Sequence, residues 1–280
     1  MAKGETSMAQ QAGQSDIQAV SRMAQILGLF GPEAPELSVS EATERLRLNR
    51  TTVHRYLTSM TAAGLLERGS RPASYTPGAL LIQLGAFAIG QRRIIQVAPA
   101  HLRGLTEQTG VTSVLSLWGP SGPVVSLVEE DAAHGTIVTV RVGSQLALDT
   151  AQAIAFMAYL PDQLQVDRLL ASLPVSQRRT LLERIAATRK LGLSIYPANQ
   201  RGISVIAAPV FADSGVCATI AAIGTDRMLP TAPDALTARA VRDTAMALTK
   251  EMGGAWPADD DPSDRTSDSA TERATDQASD

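Results

Sequence analysis

The stretch Ser38-Val39-Ser40-Glu41-Ala42-Thr43-Glu44-Arg45-Leu46-Arg47-Leu48-Asn49-Arg50-Thr51-Thr52-Val53-His54-Arg55-Tyr56-Leu57 reads as two helices around a three-residue turn. Ser38 and Glu41 have the spacing of a capping box, in which hydroxyl and carboxylate each bind an amide left free at a helix start. Val39, Ala42 and Leu46 give the first helix one apolar face. Arg47-Leu48-Asn49 breaks it, and Asn49 is placed to cap a second helix over 50–63. Val53, Leu57 and Met60 form that helix's inward stripe, and Gly64 is a natural terminator. Strand-like pieces follow at 65–68 and 74–76, with a loop at 69–73 between them. Upstream, Ile17, Val20, Ala24, Leu27 and Phe30 recur at helical spacing until Gly31-Pro32 and Pro35 end the pattern. Helix, turn, helix and small hairpin in this order make a winged helix-turn-helix.

The outer side of the second helix carries Arg50, Thr51, Thr52, His54 and Arg55 with no acid among them. A major groove about 12 Å wide admits one helix; arginines there reach phosphates or guanine, and threonines reach phosphates or the thymine methyl. Ser40 on the preceding helix and Arg71 in the wing loop complete the DNA-facing set. Arg71 is expected on the phosphate backbone or in the adjoining minor groove. His54 has two readings, packing beside Tyr56 or facing a phosphate. A bland alternative, a solvated face that only confers solubility, is outweighed by the ordered run of cap, turn, acid-free face and basic hairpin.

A net charge of −3 looks unfavourable for binding DNA, but the charge is unevenly placed. Residues 16–95 hold nine Arg against one Asp and five Glu, whereas 255–280 hold seven Asp and one Glu against two Arg. Local charge governs phosphate affinity. The 280 residues suffice for two domains, and 44% hydrophobic content supports real cores. One cysteine, Cys217, excludes an internal disulfide framework and fits a reducing cytoplasm. With only three dispersed histidines, no metal site is expected. No apolar run approaches the ~20 residues that span a bilayer, and the polar start lacks a signal peptide, so a cytoplasmic protein is expected. Five regions result: 1–15 polar and disordered, 16–78 the winged helix-turn-helix, 79–95 a linker helix, 96–252 a larger domain, and 253–280 an acidic disordered tail. Along the linker, Leu80, Leu84, Phe87 and Ala88 form an apolar stripe. It can be buried within the domain or against a partner's matching helix. The second is favoured, because a dimer spaces two recognition helices one DNA turn apart.

In the larger domain, strands are expected at 111–118, 124–129, 137–142, 203–211 and 216–223, and helices at 97–109, 151–160, 163–171, 176–191 and 235–252. The interleaving predicts a mixed α/β layer with antiparallel hairpins. Neither a P-loop, a dinucleotide fingerprint, a nucleophile elbow nor His-Glu-x-x-His is present, so neither an enzyme nor a bound cofactor is expected. Glu129-Glu130-Asp131 reads as a solvated strand end.

Several stretches together resemble the isocitrate lyase regulator (IclR) family of bacterial transcription factors. They are the 17–22 run, Leu48-Asn49-Arg50-Thr51-Thr52-Val53-His54-Arg55-Tyr56-Leu57, Arg141-Val142-Gly143-Ser144, the 202–210 run and Gly224-Thr225-Asp226-Arg227. The resemblance covers roughly 16–252. It implies a multidomain α+β chain: the winged helix-turn-helix, a dimerising linker and a C-terminal GAF-like α/β effector-binding domain. It further implies a homodimer or homotetramer that represses or activates operons from a double-stranded operator, in response to a small organic effector. By resemblance the effector cup lies at Asp149, Thr150, Ala151 and Gln152 and against Val205, Cys217, Ala221 and Ile223. The loop departs from the family pattern by one missing residue and an absent Lys, and Ala221 and Ile223 stand where Ser is common. Methyls in place of hydroxyls imply an apolar or aromatic effector larger than a short keto acid. Core filling is the competing reading of these residues, leaving a regulator with a degenerate site that acts through protein–protein contacts. Asp149 is ligand-facing or an exposed turn residue. Cys217 reads as a small buried hydrophobe rather than a reactive thiol.

Overall fold

A computed structural model describes residues 17–131, 140–198 and 202–257. The chain divides between Gln96 and Val97 into two compact units, the first also taking in Arg141–Gln145. The disorder expected for 1–15 lies outside the described residues, as do residues 258–280.

In the first unit, α1 (Gln18–Leu27) leads to β1 (Leu37–Ser38), α2 (Val39–Leu46) and α3 (Arg50–Ala62). The capping box is present: the Ser38 Oγ accepts the Glu41 N–H at 3.2 Å, and Glu41 Oε2 accepts the Ser38 N–H at 2.6 Å. Arg47 closes α2 in the left-handed region at φ 52°, and Asn49 Oδ1 accepts the Thr51 N–H at 2.8 Å to open α3. Val53, Leu57 and Met60 face inward onto Ile26, Leu37, Val39, Ala42, Leu66 and Tyr75. Deleting most of such a side chain, as in Leu57→Ala, costs about 2–5 kcal/mol.

The wing is β2 (Leu66–Arg68) and β3 (Ser74–Pro77), with β1 added on the far side of β3. Two-residue β1 is too short for alternation to announce. The face expected for α1 is half right: Leu27 and Phe30 pack on the core, together with Met23 and Ile26, while Ile17 and Val20 are 69% and 54% exposed and Ala24 is exposed too. Both faces of α1 carry apolar residues, and spacing alone cannot choose between them.

A helix, α4 (Ala79–Gly90), follows the wing, and none of its residues is buried. Leu84 and Phe87 are exposed as the stripe expectation requires, and so are Ile82 and Ile89. The helix is apolar all round, not along one stripe.

The second unit is built on a five-stranded antiparallel sheet of order β5-β4-β8-β7-β6. Its strands are β4 (Thr112–Trp118), β5 (Pro123–Glu129), β6 (Ser194–Tyr196), β7 (Ile203–Ala212) and β8 (Gly215–Thr225). The helix α5 (Arg93–Thr109) begins before the division and runs into this unit. Ser113 on β4 bonds the Leu102 carbonyl and the Thr106 hydroxyl of α5. His101 of α5 pairs with Glu251 of α9 (Leu236–Glu251) at 2.7 Å, so these two helices share one side of the sheet. The other side is covered by α6 (Ala151–Tyr159), whose Ala151 and Ala155 pack on Val114, Ala207 and Ala221. Behind α6 lie α7 (Gln163–Ala171) and α8 (Val175–Leu191).

Two expectations need correction and one lies partly out of view. The β6 strand was not expected, because three residues carry no periodic signal. The tail expected from 253 does not start there: Gly253 bridges Ala212, and Trp256 packs edge-on against Phe211 at 5.7 Å, so the folded unit reaches Pro257. Most of the strand expected at 137–142 lies outside the described residues, and Val140, Arg141 and Val142 form none.

Candidate DNA-reading face and ligand cavity

In the first unit the caps of α2 and α3 aim two helix starts at one groove. Ser38, Ser40, Arg50, Thr51 and His54 line it with Pro72 and Ala73 of the wing tip. No acidic residue lines it. Arg50 Nη1 donates to Ser40 Oγ at 3.4 Å, joining the two helices across the groove. Arg55 and His54 are exposed, so His54 is not packed away beside Tyr56, and Thr52 is half-buried. Six of the expected DNA-facing residues thus occupy the start of α3 or the helix beside it.

Arg71 differs. Its guanidinium donates to Glu36 Oε2 at 3.3 Å, to the Glu36 carbonyl at 2.9 Å and to Glu41 Oε1 at 3.4 Å. Two carboxylates therefore hold the group expected on DNA, and through them Arg71 anchors the wing loop, while its side chain stays 52% exposed. Glu36 also accepts the Ser70 hydroxyl at 2.5 Å, the Ser74 hydroxyl at 2.7 Å and the Ser70 amide at 2.9 Å. The serine hydroxyls, then the Ser70 and Arg71 amides, hold its carboxyl far below the usual range. Glu41 is lowered to about 2, first by the Ser38 amide, then by the Ser38 hydroxyl and Arg71. No sequence signal marks Glu36; its partners lie 34 to 38 residues away.

In the second unit Thr150 Oγ1 accepts the Ala153 N–H at 3.4 Å, fixing the start of α6. Beneath that start is a cavity of about 300 Å³ walled by Val140, Leu146, Asp149, Thr150, Ala151, Gln152, Tyr196, Ile203, Val205 and Ile223. Small-ligand sites run from about 300 to 1,000 Å³, so the space suits a compact molecule. Of the expected effector residues, Asp149, Thr150, Ala151, Gln152, Val205 and Ile223 are in this wall. Ala221 is not: it is wholly buried against α6. Half-buried Cys217 is also outside the lining. Tyr196 was missed because β6 was.

Gln152 is 2% exposed, and its Oε1 accepts the Ser116 hydroxyl at 3.2 Å. Its Nε2 has no hydrogen-bond partner. At the rim, the Arg184 guanidinium lies 4.4 Å from the centre of the Tyr196 ring and donates to the Asp149 carbonyl at 3.5 Å. The cavity thus combines methyl and aromatic walls, the buried Gln152 among its lining and one cation beside its edge. Among the described residues no group of His, Cys, Asp and Glu could hold a metal ion, and no helix is long and apolar enough to cross a membrane.

The model of the IclR helix-turn-helix domain matches residues 19–70, which supply the helix side of the groove. The HTH-type transcriptional regulator XynR of Escherichia coli (strain K12) is 26% identical over 251 residues, 85% of this chain and 98% of that protein. The structure of a putative IclR transcriptional regulator from Silicibacter sp. TM1040 aligns with TM-score 0.75 at 26% identity, covering 86% of this chain and 98% of that one. An IclR homolog from Microbacterium hydrocarbonoxydans, solved with 4-hydroxybenzoate, shares the fold at TM-score 0.64 and 20% identity, covering 84% and 98%. Similarity to such regulators runs through both units: the chain carries an IclR helix-turn-helix domain and is similar over most of its length to IclR-type transcriptional regulators.

Proposed function

We propose that this regulator binds a double-stranded operator through Ser40, Arg50, Thr51, Thr52, His54 and Arg55, and that a small organic effector in the α6 cavity changes that affinity. Gln152 carries the reading. A buried amide left without a partner costs on the order of 1–3 kcal/mol, and a ligand acceptor in the cavity would relieve that cost. Apolar walls with a single buried donor suit an aromatic or similarly apolar molecule bearing a polar group. The homolog solved with 4-hydroxybenzoate supports that class. The working form is a homodimer or higher homo-oligomer, in which a second copy covers Leu80, Leu84 and Phe87. Its place is the cytoplasm.

Fluorescence anisotropy on the DNA upstream of the protein's own gene tests the reading, with and without 4-hydroxybenzoate and related aromatic acids. The expected outcome is saturable, competitor-resistant binding that a subset of these acids shifts by about 5–150-fold. Arg55→Ala weakens DNA binding with the ligand shift retained. Gln152→Leu keeps DNA binding and loses the shift. Equal shifts in wild type and Gln152→Leu would remove the cavity from the mechanism.

A further inference from the structure

At the far end of α8 the second unit carries a cleft unrelated to the effector cavity. Arg189, Lys190, Arg242, Tyr159, Trp256 and Pro257 are among its lining, and no lining residue is acidic. Two of these cations end a helix, where the dipole favours positive charge. Arg242 comes from a different helix, α9, so the charge exceeds what one helix end calls for. The hydrogen bonds of the arginines go to neutral groups: Arg189 Nε to the Ala158 carbonyl at 2.7 Å, Arg189 Nη2 to Gln163 at 3.3 Å, and Arg242 Nη2 to the Leu191 carbonyl at 3.0 Å. They orient the guanidiniums without cancelling charge.

The chain leaves the described fold at this cleft. Gly254 sits so close to Phe211 that a Cβ would meet its backbone at 2.5 Å, and Trp256 lies over Gly192, where a Cβ would meet the indole at 3.2 Å. Together with the edge-on Phe211 contact, these close approaches fix Pro257 at the rim. The next residues in sequence are Ala258, Asp259, Asp260 and Asp261. Two residues of chain span at most about 7 Å and four about 14 Å. Three carboxylates are therefore tethered within reach of three cations, at the high effective concentration that a short tether gives.

We propose that the cleft is the docking site of this chain's own acidic C-terminal segment, residues 258–280, engaged chiefly through Asp259, Asp260 and Asp261. The segment shields a basic surface on a protein whose partner is DNA, and an anionic competitor must displace it.

Lysine acylation tests it on the full chain, because the sequence holds only Lys3, Lys190 and Lys250. Lys250, exposed on α9, is the internal reference. Relative to Lys250, Lys190 is expected to react with an N-hydroxysuccinimide ester about fivefold more slowly in the full chain than in one ending at Pro257. Replacing Asp259, Asp260 and Asp261 by Asn gives the truncated rate, and about 1 M salt abolishes the difference. A synthetic peptide of residues 258–280 restores protection to the truncated chain. Equal Lys190 rates in full and truncated chains overturn the proposal, as does protection that survives the three Asn substitutions. Protection that grows with protein concentration assigns the cleft to a second copy's segment and overturns the intramolecular occupant.

Discussion

Glu36 is the residue on which the wing turns. Its carboxylate gathers Ser70, Arg71 and Ser74, and Arg71 carries the tie onward to Glu41 and the start of α2. Both carboxyls ionise more readily folded than unfolded, so their contribution is full above the ordinary value of 4.5 and is lost as pH falls toward about 2 and below. Thermal melts across that window are expected to lose stability with acid, and Glu36→Gln to lose less, having less to titrate. At pH 7 the same variant melts lower than wild type. An unchanged acid profile in Glu36→Gln would detach Glu36 from wing stability. The outward placement of Arg50, Thr51, His54 and Arg55 was legible because a capping box and a three-residue turn fix the phase of α3, and phase decides which side chains face out. The ion pairs of Arg71 were not legible: its location in the wing loop was right, but its partners are distant in sequence and no local pattern reveals them. Gln152 was placed in the site by resemblance; that one end of its amide lacks a partner emerges only from packing.

Element by element, legibility followed length. The helices α3, α8 and α9 run 13 to 17 residues and were placed to within about one residue, whereas β1 and β6, of two and three residues, went unseen. The helix α1 was found, but only the C-terminal part of its expected face, Leu27 and Phe30, packs on the core. The helix α4 was found as well, and only the structure shows its exposed apolar surface to be continuous around the axis. A helix of that kind is not stable facing water, and a second copy of the chain offers a matching surface. Phe87→Asp is expected to shift the protein toward monomer in sedimentation velocity and to weaken operator binding by at least about tenfold. Solvent-facing Arg179→Ala on α8 serves as the control. A dimer that survives Phe87→Asp would place the interface elsewhere.

For the whole molecule, net charge misleads. A chain of −3 is expected to bind its operator with log K falling linearly in log salt, by about 0.9 per phosphate neutralised. Arg50→Ala and Arg55→Ala each reduce that slope by about 1 if they meet phosphates, and leave it nearly unchanged while relaxing base preference if they meet guanine. The unburied girth of α4 also bears on abundance in the cell. Where folding of one segment waits on a second chain, stability depends on protomer concentration. The number of competent molecules then grows faster than the number of chains made, roughly as its square while copies are scarce. If a second copy covers α4, as proposed, a gene controlled by the protein is expected to respond to dosage with a threshold, little to small excursions in expression and sharply once pairs predominate.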